Sequence, residues 1–270
     1  MIAKMLIAAS TWIALTVPAT AVQAQSAKAI VDQAAKAMGG INALRALKNE
    51  VIESEGKQFD SSSTSQPLGP TRQISTFRYT LTRDLTQPRL RLEWDGGNSA
   101  RNQSIRFVEV IDGGIGSLRE RAHPGHGLLL HVDLAARLRE EKRAPVKILL
   151  TAASHSSLRR RANADVNGQT NHVLSFIDNY DEFHLYIDGK THLPTQVDIL
   201  EDDPLEGDSS YVLRYGDWRK SGTVMLPYSL RTELNGKPVQ EEQIKSIQHN
   251  RPFAADPFAC RTVAVEYVHE

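Results

Sequence analysis

Three closely spaced histidines are the first residues in this sequence that could do chemistry. His123, His126 and His131 lie in the segment HPGHGLLLH, and three neutral imidazoles can bind zinc. Their spacing matches no hydrolase signature, and no carboxylate follows in a helical register. One proline and two glycines predict a flexible segment. The pattern therefore favours a solvated loop over a metal site.

The other polar groups also fall short of a catalytic arrangement. His184 and His192 flank a predicted hairpin turn, where a polar outer strand face accounts for them. The acidic run 201–203 lacks the alternating oxygen ligands of a calcium loop. The Gly-x-Gly at 114–116 has an arginine where a dinucleotide fingerprint needs its third glycine. With no nucleophile, base and orienting group in view, we predict no enzyme activity, no metal and no cofactor.

Alternating apolar and polar residues indicate the element that must position any site. From residue 183 to 247 the sequence contains successive runs of this kind, and a period of two predicts β-strands with one buried face. Asp188-Gly189 and Asn235-Gly236 favour the positive φ angles of tight hairpin turns. The segment therefore predicts an antiparallel meander.

Helices are predicted at the start and in the middle of the chain. Ser26 can cap a helix that ends at Gly39-Gly40, and a short helix follows it. An apolar stripe at 132–138 predicts a third helix, and Pro145 suits the first turn of a fourth.

Further strands are predicted before the middle helices, on both sides of a Ser/Thr/Gln/Pro-rich loop at 60–70. They cover about 51–59, 73–81, 90–94 and 105–111. Two strand regions that flank a helical insert form one sheet more simply than two domains. We therefore predict an α+β fold, in which helices cover the concave face of a curved antiparallel sheet, or half-barrel.

Composition limits the partners of this chain. It has 270 residues, with 32 Lys plus Arg and 32 Asp plus Glu, so no net field attracts nucleic acid. Cys260 is the only cysteine, which excludes an intramolecular disulfide and a zinc site made of several thiolates.

The N-terminal residues 1–24 have the pattern of a signal peptide. Lys4 precedes an apolar run from Met5 to Val17, and small residues lead to a cleavage site after Ala24. The run is shorter than the roughly 20 residues of a bilayer span. We predict a periplasmic or secreted protein without a transmembrane segment after cleavage, with one domain at 25–258 and a tail at 259–270.

Two sequence resemblances add to this interpretation. Residues 181–250, with DGKTHLPTQV and YVLRYGDWRKSGTVMLPYSLRTELNG, resemble the second half of the LolA/LolB-like lipoprotein carriers. That resemblance implies a half-barrel closed by helices over an apolar cavity that holds acyl chains.

The second resemblance covers residues 37–258 and includes AMGGINALRALKNEVIESEGKQF, RLRLEWD, VNGQTNHVLSFID and LPYSLRTELNGKPVQEEQIKSI. These segments are similar to the N-terminal region of large exported proteins that carry a metallo-β-lactamase-fold hydrolase domain. The His-x-His-x-Asp-His zinc motif of that domain does not occur in this sequence. No hydrolytic residue is therefore carried over.

Our leading hypothesis is an exported, non-enzymatic binding module for an apolar or amphipathic ligand, such as a lipid or acyl chain. The candidate cavity lining is apolar and lies on the strand faces: Leu92, Trp94, Phe107, Leu185, Ile187, Val197, Ile199, Tyr211 and Leu213. One alternative is a substrate-recruiting domain, or truncated remnant, of an exported zinc hydrolase, with a metallo-hydrolase domain as its partner. Another is a structural or partner-binding domain, in which the same side chains form a dry core.

Overall fold

The structure is a computed structural model that describes five ranges of the chain: 25–60, 71–98, 103–120, 126–203 and 207–260. The predicted signal peptide, most of the loop 60–70, His123 and most of the predicted tail lie outside these ranges.

The described residues form four helices: α1 Ala27–Ala37, α2 Ile41–Ala46, α3 His131–Lys142 and α4 Pro145–Ser154. The predicted helix starts are confirmed, because the Ser26 Oγ atom accepts a hydrogen bond from the Ala29 amide at 3.2 Å and Pro145 opens α4. Gly39 has a φ of 111°. A Cβ atom there would lie 2.4 Å from the Thr223 carbonyl oxygen, so only glycine lets α1 end against the sheet.

Fourteen strands follow one another along the described chain: β1 Asn49–Phe59, β2 Gln73–Asp84, β3 Arg89–Asn98, β4 Gln103–Asp112, β5 Ile115–Glu120, β6 His126–Leu128, β7 Arg159–Arg160, β8 Ala164–Val166, β9 Gln169–Asp178, β10 Asp181–Asp188, β11 Pro194–Asp203, β12 Gly207–Ser221, β13 Val224–Leu234 and β14 Lys237–His249.

The strands form one antiparallel sheet in the order β6-β5-β4-β3-β2-β1-β14-β13-β12-β11-β10-β9-β7, and β8 also pairs with β9. The two predicted strand regions join where β1 pairs with β14, with Ile52 opposite Ile247. The predicted α+β fold with a large, curved antiparallel sheet is therefore confirmed. At the β13–β14 hairpin, Asn235 and Gly236 have φ angles of 49° and 78°, as predicted.

The turn between β10 and β11 differs from its prediction. Asp188-Gly189 is not a two-residue turn, because the residue with positive φ is His192, at 60°. The Asp188 Oδ1 atom accepts hydrogen bonds from the amides of Lys190 at 2.9 Å and Thr191 at 2.6 Å. These bonds satisfy the turn amides over a longer loop, so Gly189 does not need a left-handed conformation.

Two hydrophobic clusters lie on the sheet. The first core packs α1, α2 and α4 against β9 to β13, and its largest fully buried side chains include Phe176, Phe183 and Leu185. The second core contains residues of β1 to β4 and β14 together with Leu134 of α3. Most of the second core borders the cavity described next, whereas the first core reaches it only through residues such as Val146 and Leu226.

Candidate ligand-binding cavity

A cavity of about 460 Å³ lies between β1 to β4, strands β12 to β14, and the junction of α3 and α4. This volume falls within the range of about 300–1,000 Å³ that is usual for small-ligand pockets. Ile52 lies opposite Leu81 and Leu81 opposite Leu92, so three neighbouring strands present one apolar row. Further apolar side chains complete the lining: Leu90, Leu226, Leu230, Ile244 and Ile247.

An aromatic row continues this wall. Tyr79 lies opposite Trp94, and Trp94 opposite Phe107, in the strand register. The Trp94 ring centroid lies 4.3 Å from that of Phe77, 6.0 Å from that of Tyr79 and 5.9 Å from that of Phe107. Stacked rings at these distances add to the energy of burial. The row gives the cavity a rigid side.

The nine sequence-predicted lining residues fall into two groups. Four of them line this cavity: Leu92, Trp94, Phe107 and Leu213. The others belong to the first core or pack against it: Leu185, Ile187, Val197, Ile199 and Tyr211. In this second group, the side chains that are at most 2% exposed are Leu185, Ile187, Val197 and Ile199. The structure therefore does not bring the nine residues together around one space.

A charged wall, which continues the apolar row two residues further along β1 and β2, was missed by the sequence analysis. The Arg83 Nε atom lies 3.3 Å from the Glu50 Oε1 atom and 3.5 Å from the Glu141 Oε2 atom, and all three side chains are buried. Burial acts to lower the pKa of Arg83, but Glu141 and Glu50 outweigh it and hold that pKa above its usual value. An arginine within the otherwise apolar β2 face was the available signal.

Helix α3 supplies more of the charged wall. The Arg137 Nε atom lies 2.8 Å from the Glu109 Oε1 atom, and its Nη1 atom lies 2.5 Å from the Glu140 Oε2 atom. The Glu140 side chain is half exposed, so its desolvation is partial, and Arg137 and Arg143 lower its pKa below the usual value. The Glu140 carboxylate is therefore held in its ionised form. A row of charged residues on a helix usually faces solvent. In α3, by contrast, the cavity is lined by Arg137, Glu140 and Glu141.

The carboxyl group of Glu242, beside the aromatic row, has a raised pKa, in contrast to Glu140. The Tyr79 hydroxyl donates to the Glu242 Oε2 atom at 2.5 Å, and the Gln240 Nε2 atom donates to its Oε1 atom at 2.5 Å. Burial is the main cause that raises the pKa of Glu242 above its usual value. Glu242 is one of the residues that line the cavity. Burial and this carboxyl group together raise the pKa of Tyr79 well above its usual value.

We expect Glu242→Gln to stabilise the protein at neutral pH. The folded-state pKa of Glu242 is raised. Its favourable contribution to folding stability is therefore complete below its unfolded-state pKa and is lost as the pH rises through its folded-state pKa. Glutamine keeps an acceptor for Tyr79 without the charge. The gain in Tm over wild type should therefore grow from pH 4 to pH 8 in thermal unfolding scans.

The exposed change Glu55→Gln serves as a control for that series, because Glu55 is 60% exposed in its side chain. Its Tm difference from wild type should stay nearly constant over the same pH range. An equally constant difference for Glu242→Gln would contradict a raised pKa at this position.

Among the described residues, no group of three or more His, Cys, Asp or Glu could hold a metal ion, and His123 of the clustered histidines lies outside those residues. His184 lies beside Glu182, with 3.2 Å between its Nε2 atom and the carboxylate. Among the described helices, none has the length and apolar character needed to cross a membrane.

The fold resembles solved structures more clearly than the sequence resembles known sequences. No protein-family model matches this chain, and no curated protein matches it. A LolA superfamily protein from Nitrosomonas europaea superimposes with a TM-score of 0.53 at 11% identity, covering 88% of this chain and 99% of that one. A putative outer membrane lipoprotein-sorting protein domain from Vibrio parahaemolyticus gives 0.51 at 9% identity, covering 86% and 97%.

At these identities the likeness concerns the fold alone. It covers 86% or more of this chain and 97% or more of each of the two structures. This chain is thus similar in fold to LolA superfamily structures, and its own cavity has one apolar wall and one charged wall.

Proposed function

We propose that this protein is an exported binding module that holds an apolar or amphipathic ligand, such as a lipid or acyl chain, in the cavity. The observation that carries this proposal is the apolar row of Ile52, Leu81 and Leu92 beside about 460 Å³ of open volume. Protein interiors are otherwise close-packed, and the side chains around a void lose dispersion contacts. A ligand in this space would restore those contacts.

The compared structures support the fold on which this function depends. One is described as a putative outer membrane lipoprotein-sorting protein domain, which fits a carrier for apolar cargo. Because one fold serves many functions, the ligand class is argued from the cavity lining. The signal-peptide pattern at 1–24 supports export, and we propose the periplasm as the site of action.

The absence of enzyme activity is part of this proposal. Among the described residues, the cavity lining has buried ion pairs rather than a nucleophile held by a base. The metallo-hydrolase association implied by the second sequence resemblance has no support from a contact or a metal site in the described residues, and we do not include it.

Native mass spectrometry of the full chain, exported with its own leader and purified from a periplasm, tests the function. We expect a stoichiometric adduct that denaturing extraction releases as a lipid or another apolar molecule. A clean ligand-free mass, together with no uptake of added hexadecanoate or hexadecanol, would contradict a carrier and leave a packed accessory domain.

A further inference from the structure

Among the described residues, Arg143 lacks the ion-pair partners that the other two cavity-lining arginines have. Arg143 caps the C-terminal end of α3, lines the cavity and is only 6% exposed. Its Nε and Nη1 atoms are buried without a hydrogen-bond partner among the described residues. Buried guanidinium groups are normally paired, since an unsatisfied charged donor is costly.

The surrounding structure fixes Arg143 in place. The Tyr215 hydroxyl donates to the Arg143 carbonyl oxygen at 2.5 Å, and the Arg143 Cζ atom lies 5.8 Å from the centroid of the Tyr211 ring. These contacts hold the residue at two points along one face of β12. They leave N–H groups of the guanidinium without an acceptor, so the residue is a preorganised donor.

The other cavity-lining arginines are already engaged. Arg83 has a buried Nε atom without a hydrogen bond, but that atom lies within ion-pair distance of Glu50 and Glu141. Arg137 pairs with Glu109 and Glu140. Glu140 is close enough to Arg143 to be affected by its charge, but its nearest cation is Arg137. Arg143 is therefore the cavity-lining arginine of the described chain that has most to gain from an added anion.

From these contacts we infer that Arg143 binds the anionic oxygen head group, a carboxylate or a phosphate, of a ligand whose single aliphatic chain fills the cavity. This inference rests on the proposed function and narrows its ligand class to single-chain anionic amphiphiles. The planar guanidinium matches the geometry of both head groups. The volume of about 460 Å³ is in the lower half of the range for small-ligand pockets, which suits one chain better than two.

Three probes of equal chain length test this inference: hexadecanoate, hexadecyl phosphate and the neutral hexadecanol. Their affinities are measured at pH 7.5 by displacement of the uncharged fluorophore N-phenyl-1-naphthylamine from the full chain. We expect wild type to bind at least one anionic probe about tenfold or more tightly than hexadecanol, as a hydrogen bond to a charged group allows. The preferred anion distinguishes a carboxylate ligand from a phosphate ligand.

The variant Arg143→Gln should bind all three probes with nearly the affinity of wild type for hexadecanol. Arg143→Lys should retain a reduced preference, because it keeps the charge without the planar donors. The control Arg45→Gln removes a charge from the exposed face of α2 and should keep the full preference.

Equal binding of anionic and neutral probes by wild type would overturn the role of Arg143 while supporting the cavity function. A full preference in Arg143→Gln would overturn it as well. If Arg143→Gln does not fold, an undiminished preference in Arg143→Lys would have the same consequence. Failure of wild type to bind any of the three probes would instead overturn the proposed function, and the inference with it.

Discussion

The Leu230→Trp variant will fold and will no longer bind an acyl chain. Leu230 is half-buried, lines the cavity and packs against both hydrophobic cores, so an indole at this position would extend into the open volume. Inserting a larger side chain into a filled core costs about 1–3 kcal/mol, but here there is space to receive it. We therefore expect a Tm within about 4 °C of wild type and displacement curves without measurable hexadecanol binding.

A tryptophan elsewhere on the sheet provides the matched control. Leu200 is 63% exposed and does not line the cavity, so Leu200→Trp should bind as wild type does. Unchanged affinity in a folded Leu230→Trp variant would show that the acyl chain binds outside this cavity. Native mass spectrometry of the Leu230→Trp and Leu200→Trp variants then shows whether a co-purified ligand is lost together with hexadecanol binding.

Much of the fold follows from local sequence patterns. Alternation of Phe183, Leu185 and Ile187 with polar residues predicted a strand with one buried face, and all three are fully buried. Ser26 and Pro145 predicted two helix starts correctly. These features depend on backbone geometry within a few residues, which is the range over which period and capping act.

The division between dry core and cavity could not be read from the same patterns. Leu92 and Leu185 both occupy apolar positions in alternating strands, yet only Leu92 lines the cavity. The difference arises from the covering helix, since α4 has the buried apolar residues Ile148 and Leu149, whereas α3 presents Arg137 and its neighbours. Which helix covers which strands is a property of the whole topology.

Arg83 on the apolar face of β2 was one signal of the charged wall, but its ion pairs could not be predicted from the sequence for a similar reason. Arg83 of β2 meets Glu50 of β1 and Glu141 of α3, three residues that are far apart in the chain. Each one alone is an ordinary charged residue of a strand or helix. The positions of the elements decide whether such a residue meets solvent or a buried partner, and no local period specifies those positions.

The Leu185→Ala variant should lose about 2–5 kcal/mol of unfolding free energy and keep its affinity for an acyl chain. Leu185 is fully buried and lies opposite Leu174 and Val197 on the two neighbouring strands. The space left by its side chain is therefore closed on both sides by other core residues. Urea unfolding of the ligand-free protein measures the loss.

Leu92→Ala is the matched change on the cavity side and should show the reverse pattern. Because Leu92 already borders open volume, its truncation removes fewer contacts, so we expect a smaller stability loss together with altered affinity for hexadecanol.

A ligand present at about 100 times its Kd adds about 2.7 kcal/mol to the stability of the folded state. That increment should be unchanged in Leu185→Ala, because a residue that does not touch the ligand shifts the unfolding equilibrium without changing the binding equilibrium. An increment that disappears in Leu185→Ala while the ligand-free stability stays near wild type would place Leu185 in the binding site and remove the distinction between core and cavity drawn from the structure.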